Sequence, residues 1–251
     1  MIYRFFSALN PIAARDLLTS ILTKRTLRPS RIFGFNDPFE CKVAIDLDAS
    51  DDFKRAKFFR DNPQATERDC DHWLENMVSL WWLEQQTRST LLQKFGVTCF
   101  TEDWNNHLFW SHYASHHGGF CIGFDREVLS EWGAHIAFGN VSYSKVAPVC
   151  NAFTESDADL FRKAVFTKAD CWDYEQEVRM AFSGFEDRVM PKGAIREVII
   201  GCRAADELRQ FGRYASFDGV QFFQAYEVPR EYRLSREPFD RKVVASMTSH
   251  F

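Results

Sequence analysis

The sequence lacks the features of secreted, redox-active and membrane-spanning proteins. Its seven cysteines are scattered singly, and no two of them form a CxxC pair. An odd number of dispersed thiols is typical of a protein kept in a reducing compartment and unlike a disulfide framework. No apolar run approaches the length of a transmembrane helix, and no signal-peptide pattern is present. We therefore expect a cytoplasmic protein that does not enter a membrane.

Several common catalytic and nucleotide-binding motifs are also missing. Neither GxGxxG after a first strand nor GxxxxGK[ST] occurs, which disfavours a Rossmann or P-loop enzyme. A serine hydrolase would need a GxSxG nucleophile elbow, and none is present. Cysteine and histidine occur without a local signature of a cysteine protease. The formal net charge of -4 provides no overall basic field for nucleic acid, although a local basic patch stays open.

The abundant residues favour one large globular domain. The 251 residues are 45% hydrophobic and 16% aromatic, with 25 Phe and 7 Trp, which predicts a large core rich in rings. The chain length suits one domain. No internal repeat or low-complexity tract divides the sequence. We therefore expect residues 1–251 to form a single domain.

Short strands and helices alternate without the rhythm of long parallel βαβ units. Hydrophobic periodicity predicts strands at 2–6, 41–47, 95–101, 119–125, 140–144, 174–180, 195–201 and 219–226, and helices at 11–22, 67–93, 107–114, 126–132, 156–170 and 204–214. This order predicts an α+β fold with a curved or split, mostly antiparallel sheet and surrounding helices. A helical insertion is expected at about 48–94, and a C-terminal arm at about 230–251.

The late stretch from Tyr174 to Met180 has charged residues at alternate positions. Read as a strand, it places Glu175, Glu177 and Arg179 on one face. Neighbouring carboxylates repel each other, and such pairs recur where a developing positive charge is stabilised or a base is oriented. The alternative is a solvated strand edge on which Arg179 neutralises the pair. Spacing alone leaves both interpretations open.

The segment FNDPFE at residues 35–40 has strong turn chemistry. Asn36 and Asp37 can hydrogen-bond the local backbone, and the following proline fixes it. The two flanking phenylalanines are expected to hold the turn in the core. A structural role is favoured here, with Asn36, Asp37 or Glu40 lining a site as the alternative.

A histidine cluster is the most obvious candidate metal site. His112 and His116 are four residues apart, and His117 follows. Helical histidines at this spacing can bind zinc. The pattern is not HExxH, however, and no carboxylate or cysteine nearby in sequence completes a ligand set. We expect no metal site, and consider that His112 and Tyr113 either line a cleft or pack with satisfied ring nitrogens.

Three stretches, taken in chain order, resemble a known class of enzymes. Arg4 follows Tyr3 in the first predicted strand, Thr98 begins a Thr-Cys-Phe-Thr run in a middle strand, and Glu175-Gln-Glu177-Val lies in a late strand. This order is similar to the R-S-E class of ADP-ribosyltransferases. The resemblance implies that NAD is the substrate and that the sheet is of the ADP-ribosyltransferase type.

The same resemblance implies roles for the matched residues. Arg4 would engage the NAD phosphates and Thr98 would brace the site, whereas Glu177 would hold the nicotinamide ribose and Glu175 would help the acceptor. A carboxylate bonded to the ribose hydroxyl stabilises the oxocarbenium-like centre that forms when nicotinamide leaves. A guanidinium forms paired hydrogen bonds with a pyrophosphate. No metal is needed for this chemistry.

Aromatic side chains complete the expected NAD site. A ring such as that of Phe100 or Tyr113 is expected to sandwich nicotinamide. Tyr3 and His112 are also expected to contact the bound NAD.

A second resemblance covers most of the chain. FNDPFE at 35–40, WSHYA at 110–114, HxGF at 117–120 and WxYExExR at 172–179 are similar to motifs of a widespread bacterial family catalogued as a domain of unknown function. Some members of that family are associated with phage defence and mobile elements. This implies a toxin-like transferase, with an unknown protein or nucleic-acid acceptor and a defence-system or antitoxin partner.

Three hypotheses of function therefore stay open. The first is an ADP-ribosyltransferase or NAD glycohydrolase, and the second is a non-catalytic binding or sensor module of a defence system on the same fold. The third is a metal-dependent enzyme that acts on nucleic acid through the carboxylates of Asp37, Glu40, Glu175 and Glu177. Convergence of Arg4, Thr98 and Glu177 on one cleft without Asp37 favours the first two hypotheses. Convergence of all four carboxylates favours the third.

Overall fold

Strands and helices alternate in the computed structural model, which describes residues 1–76 and 79–239. The strands are β1 (Ile2–Phe6), β2 (Thr26–Leu27), β3 (Ser30–Arg31), β4 (Ala44–Asp46), β5 (Phe95–Thr101), β6 (Phe120–Phe124), β7 (Ala137–Asn140), β8 (Ser142–Ser144), β9 (Val149–Asn151), β10 (Thr167–Ala169), β11 (Glu177–Ser183), β12 (Arg188–Val189), β13 (Ile195–Ile200), β14 (Gln221–Glu227) and β15 (Leu234–Pro238). The α-helices are α1 (Pro11–Lys24), α2 (Asp51–Asp61), α3 (Glu67–Glu75), α4 (Leu80–Lys94), α5 (His107–Tyr113), α6 (Arg126–Ser130), α7 (Asp157–Val165) and α8 (Asp206–Tyr214). Short 3₁₀ helices cover Ile32–Gly34 and Asp170–Glu175.

The centre of the molecule is an open nine-stranded sheet, which confirms the predicted α+β class. Eight strands follow the order β15-β14-β13-β6-β1-β5-β11-β7, and β3 adds to β5. Every neighbouring pair in this sheet is antiparallel except β13 and β14, which are parallel. The prediction of a mostly antiparallel sheet is therefore also confirmed.

The sheet separates between β1 and β5. These strands share one register pair, Tyr3 with Thr101, whereas β1 pairs with β6 over its whole length. Further along β5, the short strand β3 takes the neighbouring place, with Ser30 opposite Val97. The opening between β1 and β5 leaves room for a cavity in the middle of the sheet.

The two faces of the sheet pack into different hydrophobic clusters. On one face, Phe100, Ile122 and Met180 pack with helices α1 and α8 around Leu18 and Leu208. Their strand neighbours enter other clusters, which contain Val97, Ala181, Tyr3, Cys121 and Ile199. This division follows from the period-two alternation of side chains along a strand. The opening between β1 and β5 is nevertheless bordered by residues of both faces, among them Tyr3 and Arg4 of β1 and Cys99 and Phe100 of β5.

The helix and strand boundaries depart from the sequence pattern around the late carboxylates. The predicted strand at 174–180 begins only at Glu177, because Asp170–Glu175 forms a 3₁₀ helix. Gln176 between them has a left-handed φ of 42°. The preceding helix α7 ends at Val165, earlier than expected, because Thr167–Ala169 pairs with β8. The interpretation of 174–180 as one continuous strand is thus wrong.

The peripheral regions include the segments where a helical insertion and a C-terminal arm were expected. Helices α2, α3 and α4 occupy the region of the expected insertion at about 48–94. Met77, one of the apolar positions in that pattern, lies outside the described residues. The expected arm from about residue 230 instead contributes β15, which pairs with β14, and residues 240–251 lie outside the described part of the chain. Among the described residues, no helix has both the length and the apolar composition to cross a membrane.

Candidate active site

A cavity of about 330 Å³ lies where β1 and β5 separate. Its size falls within the usual range for small-molecule sites. Aromatic rings and charged groups both face it. The lining residues are Tyr3, Arg4, Phe5, Ser30, Gly34, Phe35, Asn36, Asp37, Glu40, Cys99, Phe100, Phe109, Tyr113, Lys168, Trp172, Glu175 and Glu177.

A fully buried arginine anchors the acidic side of the cavity. Arg179 is 0% exposed and donates to both oxygens of Glu40, at 2.9 and 2.7 Å. It also donates to both oxygens of Glu177, at 2.7 and 3.0 Å, and to the Val165 carbonyl at 2.6 Å. A planar guanidinium suits two carboxylates at once because its donors form a rigid fork. Arg179 thereby fixes the Glu40 and Glu177 carboxylates, which both line the cavity.

A lysine links the same carboxylates from the other side. The Nζ atom of Lys168 donates to Glu175 and, at 3.2 Å, to Glu177. It lies 3.7 Å from Glu40 and 4.8 Å from the centre of the Trp172 ring. Three carboxylates therefore share two buried cations.

The charges of this cluster move the pKa values of its acids in opposite directions. Burial opposes ionisation of Glu177, but the charges of Arg179 and Lys168 outweigh it and lower the pKa of that carboxyl to about 2. Burial raises the pKa of Glu175, which Lys168 only partly offsets. The pKa of Lys168 is raised, because Glu177 and Glu175 overcome the effect of its burial. Glu177 is thus a fixed anion, and Glu175 is the group more easily protonated.

A tyrosine from α5 holds Glu175. The Tyr113 hydroxyl donates to one Glu175 oxygen at 2.9 Å, and Lys168 binds the other oxygen. Asn36, on the opposite rim, reaches the Tyr113 hydroxyl at 3.5 Å. Glu175 is only 2% exposed, so both of its oxygens lie beneath these side chains.

Arg4 provides a cation on another wall of the cavity. Its guanidinium donates to the Arg28 carbonyl at 3.2 Å and to the Ser30 hydroxyl at 3.4 Å, and lies over the Phe6 ring. Among the described residues it has no carboxylate partner. Burial lowers the pKa of Arg4 from its ordinary value, although an arginine stays charged near neutral pH. A guanidinium without a counterion beside a cavity is suited to bind an anionic ligand.

A second, larger groove joins the first cavity at this arginine. It measures about 980 Å³ and shares Arg4, Ser30, Gly34 and Phe35 with the first cavity. Arg4 therefore stands at the junction of the two spaces.

The structure brings together most of the residues that the sequence singled out. Six of the eight line the cavity: Tyr3, Arg4, Phe100, Tyr113, Glu175 and Glu177. Tyr3, Thr101 and Glu177 are register partners in one row across three strands, which places Tyr3 and Glu177 on the same face. Glu175 and Glu177 do meet, but through Lys168 rather than as neighbours on one strand.

Two of the predicted site residues lie elsewhere. Thr98 is fully buried on the opposite face of β5, with its hydroxyl unpartnered, and Cys99 takes the cavity position. His112 is exposed on α5 and does not line the cavity, because Tyr113 is the residue that turns inward. Thr98 as a brace and His112 as a cleft residue are therefore corrected.

Some of the residues at the site were missed or ranked low on sequence evidence. Glu40 and Asp37 both line the cavity, so the less favoured reading of the FNDPFE turn describes their position better. Asp37 also has the expected structural bond, accepting from the Phe39 amide at 2.8 Å. The FNDPFE motif was the sequence feature that pointed to Glu40 as a possible site residue. Lys168 gave no local signal, because its partners come together only in the folded chain.

The interpretation of Arg179 was half correct. It neutralises the carboxylates, as the structural alternative proposed, but it does so in the core and not on a solvated edge. Within the described part of the chain, no group of three or more His, Cys, Asp or Glu side chains is arranged to hold a metal ion.

Comparison with known proteins gives one family match. Residues 109–180 match the family model described as Protein of unknown function (DUF2971). The matched segment, less than a third of the chain, includes Tyr113, Lys168, Glu175, Glu177 and Arg179. No curated protein and no solved structure matches the chain. The matched segment therefore holds four of the five charged residues of the cluster, all but Glu40, and the family description assigns no activity to them.

Proposed function

We propose that the protein cleaves the bond between nicotinamide and ribose in NAD, as ADP-ribosyltransferases and NAD glycohydrolases do. One observation carries the proposal: Arg4, a cation without a carboxylate partner among the described residues, and Glu177, a carboxylate held ionised, line the same cavity. NAD offers a matching pair of groups, a pyrophosphate and a ribose that becomes cationic as nicotinamide leaves.

Glu177 supplies the electrostatic part of the proposed reaction. Arg179 and Lys168 fix its carboxylate before substrate binds, so little reorganisation is needed in the transition state. The developing oxocarbenium ion is stabilised by this anion, as in glycoside hydrolysis. The Tyr113 ring, which lines the cavity, provides an aromatic surface for the nicotinamide, whereas the Phe100 ring packs against Phe124 in the core.

Arg4 supplies the binding part. Its position at the junction of the two cavities suits a pyrophosphate with a nucleoside on each side. Thr98 has no role in this proposal, because it faces away from the cavity.

The test is binding and turnover of NAD by the full chain and matched variants. Arg4→Gln should raise KM for NAD with little change in melting, whereas Arg15→Gln, on the exposed face of α1, should change neither. Glu177→Gln should lower nicotinamide release by about a hundredfold or more while NAD still binds. NAD binding without turnover by wild type would favour a non-catalytic sensor module, and absence of both would reject the proposal.

The Glu177 variant needs a folding control. Its partners Arg179 and Lys168 are buried, so removing the Glu177 charge lowers stability rather than relieving repulsion. Melting curves therefore accompany the rates, and Arg4→Gln gives an independent result if Glu177→Gln unfolds.

A metal-dependent enzyme acting on nucleic acid is a second candidate. It is favoured by the fact that Asp37, Glu40, Glu175 and Glu177 all line one cavity. It is weakened because oxygens of Glu40, Glu175 and Glu177 already accept hydrogen bonds from Arg179 and Lys168, which leaves few carboxylate oxygens for direct coordination of a metal. Elemental analysis of chelator-free protein should find no stoichiometric zinc or other tightly held metal. One metal per chain together with chelator-sensitive nuclease activity would promote this candidate over the first.

A further inference from the structure

The two carboxylates beside the proposed cleavage point are closed off from large molecules. Glu175 is 2% exposed and Glu177 is 3% exposed. Lys168, which contacts both, has a side chain that is 7% exposed. An acceptor residue of a protein or a nucleic acid would have to enter this buried space to be oriented by Glu175.

The cover over the carboxylates is built from opposite sides. Tyr113 comes from α5 and donates to Glu175, and Asn36 from the FNDPFE turn approaches the same hydroxyl at 3.5 Å. Trp172, on the 3₁₀ helix, lies over the Lys168 ammonium. NAD would enter through the cavity itself and fill it, and an acceptor side chain of a macromolecule would then reach the carboxylates only if these covering side chains moved apart, whereas a water molecule is far smaller.

We infer that the nucleophile at this site is water, so that the proposed reaction is hydrolysis rather than transfer to a macromolecule. This inference rests on the proposed function and departs from the protein or nucleic-acid acceptor that the sequence resemblance implies. Glu175, held by Tyr113 and Lys168 at the cavity wall, is the base that takes a proton from the water.

The step balances without another reactant. The bond between C1′ of the ribose and the ring nitrogen of nicotinamide breaks, and its electron pair stays with the nitrogen, which leaves as neutral nicotinamide. The water oxygen bonds to C1′, and one water proton passes to the Glu175 carboxylate. The products are ADP-ribose, nicotinamide and a proton. Tyr113 is a positioning residue in this scheme, because it acts through Glu175.

The experiment follows the fate of NAD labelled in its adenine ring. Wild-type protein is incubated with labelled NAD, with and without added bacterial protein, RNA and DNA. Free ADP-ribose should equal released nicotinamide in every mixture, and no label should remain on macromolecules. Added methanol should yield methyl ADP-ribose, whereas the bulkier benzyl alcohol should give no adduct.

Variants distinguish the role of Glu175 as the base from that of Trp172 as a covering residue. Glu175→Gln should lower kcat for ADP-ribose release by about a hundredfold, the usual effect of losing a general base. Tyr113→Phe should lower kcat by about tenfold, as expected for one lost hydrogen bond to a charged group, with KM unchanged. Trp172→Ala should admit benzyl alcohol as an acceptor, and Trp81→Ala, an exposed tryptophan on α4, should not.

The outcomes distinguish this inference from the proposed function. Nicotinamide released in excess of ADP-ribose, with label on added macromolecules or on the protein itself, would overturn the inference and leave NAD cleavage standing. Full hydrolysis by Glu175→Gln would also overturn it. No release of nicotinamide from NAD by wild type would overturn both.

Discussion

Side-chain contacts were predicted best where they depend only on neighbours within one strand. Glu177 and Arg179 share a strand face, as period-two alternation requires, and they bond to each other. Period-two alternation could not predict that Glu175 lies outside the strand. The left-handed backbone at Gln176 breaks the alternation between Glu175 and Glu177. The sequence did not indicate a role for Lys168 at the site, since nothing near it in sequence distinguishes it from a solvated lysine.

The Asp37 side chain should contribute mainly to stability. It accepts the Phe39 amide hydrogen bond inside the FNDPFE turn, so Asp37→Ala should cost about 1–2 kcal/mol of the free energy of unfolding. Asp37→Asn keeps an acceptor and should lose less. Asp48→Ala, at an exposed position, is the control and should stay within about 0.5 kcal/mol of wild type in urea unfolding. Unchanged melting combined with lost NAD turnover would instead place Asp37 in the reaction.

Glu177 should make stability depend on pH at low pH. Its folded pKa of about 2 is below the usual value of about 4.3 for a glutamate, so the unfolded chain binds this proton more readily. The stabilisation is then complete above about pH 4.3 and is lost as the pH falls toward 2. The free energy of unfolding of wild type should decrease more steeply over this interval than that of Glu177→Gln. Glu75→Gln, at an exposed position, should keep the wild-type slope; equal slopes for wild type and Glu177→Gln would contradict the prediction.

At the scale of elements, the sequence predicted which strands exist better than where they end. Strands β1, β5, β6, β13 and β14 lie close to their predicted ranges, because apolar alternation marks buried strands directly. Thr98 was expected at the site, whereas the residues of β5 that line the cavity are Cys99 and Phe100. Thr98 and Cys99 are adjacent and point to opposite faces, and only the register with β1 and β11 shows that Cys99 faces the site. Register depends on partners far away in sequence.

Gly123 on β6 lies close to side chains of the neighbouring strands, so a substitution there tests strand packing. A Cβ atom added at Gly123 would lie 2.5 Å from Glu197 Cγ and 2.9 Å from Tyr3 Cε1. Gly123→Ala should therefore destabilise the protein by about 1–3 kcal/mol, the usual cost of overpacking. Gly139 on β7 has no atom within 4 Å of the added Cβ, so Gly139→Ala should be neutral or stabilising. Equal urea midpoints for the two variants would show that Tyr3 and Glu197 do not pack against this backbone.

At the scale of the whole molecule, the site depends on segments far apart in sequence. Glu40 precedes the helical region, whereas Lys168 and Arg179 follow more than a hundred residues later. Hydrophobic periodicity predicted a curved or split sheet, but not that a buried arginine would join these segments. The resemblance in residue order brought Arg4 and Glu177 to attention, and the opening between β1 and β5 gives them a common cavity.

A double-mutant cycle should therefore show strong energetic coupling between Glu40 and Arg179. Both side chains are buried and share two hydrogen bonds across 139 residues of sequence. Glu40→Gln removes the charge, and Arg179→Lys keeps a charge but loses the planar fork. Each single change should destabilise the protein, and the pair should show a coupling energy of at least about 1 kcal/mol in urea unfolding.

The exposed pair Arg28 and Asp187 is the matched control for this cycle. It too forms a two-bond ion pair between distant segments, with side chains 77% and 41% exposed. Because water screens exposed charges, Arg28→Lys and Asp187→Asn should couple by less than about 0.5 kcal/mol. A similar coupling energy in both cycles would mean that Arg179 does not hold the site together more firmly than a surface ion pair, and the fixed position assigned to Glu177 would lose its physical basis.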